Sequence, residues 1–107
     1  MKKERLRKKL LREGLKVPYK LIRDRRLSTA ARSILAAIDQ YVEEDEQDKG
    51  SSLGNKSLML LTGLAESTVK NTMHDLREKG ILNRKYYEKP VSKRFLKINW
   101  ENLRRGR

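Results

Sequence analysis

The chain has no cysteine among its 107 residues, and this removes disulfide frameworks, zinc-finger ligation and thiol catalysis together. Such a composition fits a reducing compartment, so the expected location is the cytoplasm. His74 is the one histidine, and without a thiol or a second imidazole it cannot build a familiar transition-metal site. No metal and no other cofactor is expected. No apolar run approaches the length of a bilayer span, and the first residues lack the apolar centre of a secretory signal, so no membrane partner is expected. Glycine-rich phosphate loops, nucleophile elbows and spaced catalytic carboxylates are missing as well, and the chain does not read as an enzyme. Acidic residues are scarce: 14 against 27 Lys and Arg leave a net charge of +13. That exceeds what solubility asks of a small domain, and a polyanion is the economical partner. The length suits one small core, and no internal repeat is visible.

The stretch from Leu53 to Leu82, LGNKSLMLLTGLAESTVKNTMHDLREKGIL, predicts a short helix, a tight turn and a second helix. Val69, Thr72, Met73 and Leu76 fall at i, i+3, i+4 and i+7, the spacing of a helix with one buried face. Ser67, Asn71, His74 and Glu78 then lie on the opposite side, with Lys70 on its flank. Leu58, Leu61 and Leu64 form the stripe of the first helix, Gly63 permits the turn between the two, and Gly80 stops the second.

Two helices crossing at a glycine-containing turn, the second polar on its outer face, resemble the DNA-binding helix-turn-helix. With a basic hairpin after KGIL, the stretch resembles the winged-helix members of that family, nearest to the small domains of plasmid, phage and mobile-element replication initiators and related regulators. VPYKLIRDRRLSTAARSILAAI also resembles the lead-in of the initiator type. The resemblance covers about residues 17–100. It implies a mainly α fold with a β-hairpin wing (α+β), and double-stranded DNA as partner. It further implies sequence-specific binding, in transcription regulation or as a replication or transfer accessory. A recognition helix at about 66–79 would enter the major groove with Ser67, Thr68, Lys70, Asn71 and His74. Its amino-terminal half is expected to lead, because Asp75 and Glu78 would repel phosphates. A wing at about 84–97 would set Arg84, Lys85, Lys89, Lys93 and Arg94 on the backbone or in the minor groove. The family's Ser or Thr cap is Ala65 here, so Glu66 or Ser67 is expected to tie down the first turn.

The remaining chain is read in order. Residues 1–16 hold eight basic residues against two acidic ones, with only a thin stripe of Leu6, Leu10 and Leu11. A mobile arm outside the core is expected, with Lys2, Lys3, Arg5, Lys8 and Lys9 on phosphates; a solvated tail and a membrane-surface helix are the competing readings. Pro18 suits a first helical turn, with Leu21, Ile22 and Leu27 inward. Ser28 caps the main scaffold helix, in which Ala31, Ile34, Leu35, Ile38, Tyr41 and Val42 repeat at three and four residues. Glu43, Glu44, Asp45, Glu46 and Asp48 read as a solvated acidic loop that frays the helix end, since their spacing is not that of a calcium loop. Gly50 to Ser52 reads as linker, and Gly54 as the next N-cap. Within Leu58–Leu61, Leu60 or Met59 is left near the surface, an ordinary exposed residue or the seed of a homodimer. Pro90 and Ser92 mark the hairpin turn, where Tyr86, Tyr87 and Phe95 read as core cover or base-stacking groups. Trp100 is expected as a lid, and 101–107 as a basic tail with Arg104 and Arg105 on phosphates. His74 can pair with Glu78 at i+4. An RNA or single-strand binder and a protein-interaction module remain as alternative readings.

Overall fold

The computed structural model describes the backbone of residues 2–42, 50–87 and 93–105 and the side chains of 8–42, 50–85 and 94–104. The acidic loop, the hairpin turn with Lys89, Pro90 and Ser92, and the side chains of Lys2, Lys3, Arg5, Tyr86, Tyr87, Lys93 and Arg105 lie outside the described residues. The chain is mainly helical with one antiparallel hairpin: α1 (Lys2–Glu13), α2 (Tyr19–Ile22), α3 (Thr29–Gln40), α4 (Asn55–Thr62), α5 (Glu66–Glu78), β1 (Leu82–Tyr87), β2 (Lys93–Ile98) and α6 (Trp100–Arg105). No described helix is long and apolar enough to cross a membrane.

The centre is α3. The Ser28 hydroxyl accepts from Ala31 N–H at 3.1 Å, capping the first turn as its side chain dictates. Ile34 to Ile38 are then buried without a break, which a helix achieves only when neighbours cover it on several sides. Those neighbours are α2, α4, α5 and β2. The helix ends at Gln40, short of the expected Tyr41 and Val42, but Tyr41 is still buried.

The turn between α4 and α5 is built by local chemistry. Gly63 takes the left-handed conformation at φ 75° and its N–H donates to Met59 O at 2.8 Å, the closure that glycine permits at a helix end. Thr62 Oγ1 donates to Leu58 O at 2.5 Å and accepts from Leu64 N–H at 3.2 Å. Leu58 is buried, with Leu61 and Leu64 against the core, while Leu60 is 50% exposed. On α5, Val69, Met73 and Leu76 are buried. Gly80, at φ 73°, turns the chain so that Ile81 N–H donates to Leu76 O at 2.9 Å. The hairpin follows with Leu82 opposite Ile98 and Tyr87 opposite Lys93.

Five expectations need correction. Residues 50–52 are not linker: Ser51 is fully buried, and its N–H and C=O bond Leu96 O and N–H at 2.8 and 2.7 Å, an isolated antiparallel bridge beside β2. Gly50 has φ +100°, and a Cβ there would collide with Leu96 O. The basic arm is not outside the core, because α1 packs on α4 and Leu10 and Leu15 lie against the hydrophobic cluster. Gly14 N–H closes α1 onto Leu10 O at 2.7 Å, and Lys16 N–H donates to Gln40 Oε1 at 3.1 Å, fastening the following segment to α3. Residues 101–105 are not tail but the body of α6, held by buried Leu103 and by Asn102 Nδ2 donating to Gly80 O at 2.8 Å. Ile22 points outward at 51% exposure, since α2 is one turn and Leu21 takes the inward position. Finally, Arg94, expected on a nucleic-acid surface, turns back into the fold.

Candidate nucleic-acid interface

The outer face of α5 follows from its periodicity. With Val69, Met73 and Leu76 inward, the 3.6-residue repeat leaves Ser67, Lys70, Asn71 and His74 exposed along two turns. Thr68 is half-buried and belongs to the flank. The N-cap of α5 is Ala65, which is extended and supplies no capping side chain. The Glu66 carboxylate lies instead 3.7 Å from Lys70 Nζ.

Three i,i+4 contacts set the electrostatics of this face. Lys70 pairs with Glu66, His74 Nε2 lies 3.8 Å from Glu78, and Lys79 lies 3.1 Å from Asp75. The Lys70–Glu66 and Lys79–Asp75 contacts are exposed i,i+4 ion pairs, each worth a few tenths of a kcal/mol. They are too weak to hold a side chain against a better partner, but they make the outer face of α5 nearly neutral. The signal was present in the i,i+4 spacing of ESTVK and HDLREK, and only the His74 pair was read from it. Positive charge comes from the neighbours.

On the hairpin, successive residues of a strand face opposite sides. The register places Lys85 opposite Phe95 and Asn83 opposite Lys97, so Lys85 and Lys97 share one face; Arg84, opposite Leu96, shares the other with Leu82. Arg84, Lys85 and Lys97 are all exposed. Lys97 therefore joins the exposed cations of the hairpin, and Arg84 and Lys85 point apart. Arg94 is half-buried: its Nε and Nη2 donate to Leu53 O at 3.2 and 3.0 Å, and Nη2 also reaches Asn55 Oδ1 at 2.7 Å. It ties the hairpin to the start of α4. Lys8, Lys9 and Arg12 of α1, which packs on α4, are exposed. Arg104 lies on α6 and lines a cleft with Trp100 and Lys20, apart from the α4–α5 turn. No family model matches this chain, and no curated protein or solved structure matches it either.

Proposed function

We propose that the protein is a sequence-specific duplex-DNA-binding winged helix, with α4 and α5 as its helix-turn-helix and the β1–β2 hairpin as its wing. The observation that carries this reading is the pairing of a near-neutral polar row on α5, Ser67, Lys70, Asn71 and His74, with a hairpin beside it that exposes Arg84, Lys85 and Lys97. Base edges are read by donors and acceptors set at defined positions, whereas phosphates are held by long cationic chains. Cations on a helix add phosphate affinity that is the same for every sequence, and a near-neutral helix flanked by cations separates that task from reading bases. Asn71 offers both a donor and an acceptor to an adenine edge in the major groove. Lys85, Lys97, Arg84 and the α1 cations serve the backbone. The resemblance of the sequence to initiator-type domains supports a role at an origin or operator of a plasmid, phage or integrative element, as regulator or accessory factor.

Selection of bound duplexes from a random pool, followed by footprinting, tests this directly. One enriched consensus, protected along a single face of the major groove, is the expected result; its symmetry reports whether two copies bind together. Failure to enrich any sequence, or equal affinity for single strands, overturns the proposal.

A further inference from the structure

Between α2, the turn that follows it and α6 lies a cleft of about 370 Å³, the size of a small-ligand site. Its walls carry Lys20, Arg23, Arg26 and Arg104 and a single acid, Asp24. Asp24 is already engaged: Arg26 Nε and Nη2 donate to its two carboxylate oxygens at 2.9 and 2.5 Å, and this contact holds its carboxyl below the ordinary value. Arg26 Nη2 also donates to Leu103 O at 2.7 Å. The two therefore form a neutral brace that fixes the cleft wall to α6.

Among the described residues no ion pair joins Lys20, Arg23 or Arg104 to an acid. Two of them rest on aromatic faces instead: Lys20 Nζ is 3.6 Å from the centroid of the Trp100 ring, and the Arg23 guanidinium carbon is 5.7 Å from that of Tyr19. A cation on a ring face keeps its whole charge and has shed part of its water, so it can meet an anion with less desolvation. Three cations in one cleft with no ion pair among the described residues also repel each other, which an anion relieves.

We propose that this cleft binds a nucleotide unit, its phosphate on Arg23 and Arg104 and its base on the Trp100 indole in the place that Lys20 occupies. A carboxylate would satisfy the arginines but leave the indole to the lysine, whereas a nucleotide uses both, since every base has a face to stack on an aromatic ring. Asn102 joins α6 to Gly80 at the carboxyl end of α5, while Ser67 to Asn71 lie near its other end. Thirteen residues at 1.5 Å each separate the two ends of α5 by about 20 Å. The cleft is therefore a separate site, and its occupancy does not depend on what α5 reads.

Trp100 is the only tryptophan, so one indole N–H resonance of the full isotope-labelled chain reports on the cleft. The titrants are AMP, a single-stranded oligothymidylate and a glutamate-rich peptide at one ionic strength. A saturable shift of the indole resonance with AMP identifies a free nucleotide as sufficient; a shift with the oligomer alone identifies a strand. Either result supports the site, provided that Arg23→Ala with Arg104→Ala raises the half-saturating concentration by about tenfold or more while the remaining spectrum is unchanged. Arg104→Gln alone gives the same readout with less perturbation, in the same direction. The proposal is overturned if the indole resonance never moves, if its shift is indifferent to these substitutions, or if the acidic peptide moves it as well as AMP does.

Discussion

At the scale of single residues, side-chain type announced less than position decided. Asn71 and Arg94 are both polar residues expected on a nucleic-acid surface, yet one is exposed on α5 and the other is bonded to Leu53 and Asn55. A guanidinium can reach inward because its long stem packs on apolar neighbours while its fork satisfies carbonyls. Asn71→Ala is expected to cost about 1–3 kcal/mol at the selected DNA site and to relax preference at one or two base positions. Lys85→Ala should instead lower affinity for cognate and random duplexes together. A consensus that survives the loss of Asn71 and changes with the loss of Lys85 would reverse these roles. Gly50 shows the same dependence on position. Its φ of +100° and the carbonyl of Leu96 against the missing Cβ mean that Gly50→Ala should destabilise by roughly 1–3 kcal/mol. Thermal unfolding would show this as a fall in Tm of about 4 °C or more; an unchanged Tm contradicts the bridge at Ser51.

At the scale of elements, weak patterns became ordered structure once a neighbour was present. Helix α1 is too charged to form a core, but its Leu10, followed by Leu15 just past the helix end, supplies apolar surface for the cluster that α3 and α4 complete. A half-buried leucine contributes on the order of 1 kcal/mol, enough to dock a helix against a finished core and too little to fold one alone. Removing residues 1–12 should therefore lower stability by about 1 kcal/mol, read as a drop of several degrees in Tm, and also weaken binding to all duplexes through the loss of Lys8, Lys9 and Arg12. An unaltered Tm would show that the helix is not part of the packed unit. In the hairpin, the register decides which cations act together: Lys85 and Lys97 share a face, and Arg84 is on the other. Adjacency in sequence suggested the opposite grouping, because a strand turns each neighbour over.

At the scale of the whole molecule, the net charge is +13, while the outer face of α5 is nearly neutral. If about six phosphates are neutralised, the logarithm of the duplex affinity should fall against the logarithm of salt with a slope near −5, and a slope shallower than about −2 would leave the charge without a DNA role. The capped scaffold helix from Ser28, the α4–Gly63–α5 turn, the buried stripe of Val69, Met73 and Leu76, and the hairpin after Gly80 are legible in the residues alone. Those features are set by contacts within a few residues, where caps, glycines and periodicity act. That Ser51 bridges β2, that α1 and α6 belong to the packed unit, that Arg94 faces inward, and that Lys20 and Trp100 meet across a cleft follow from the folded arrangement. Each of those joins residues far apart in the chain, and their partners exist only after the core has closed around α3.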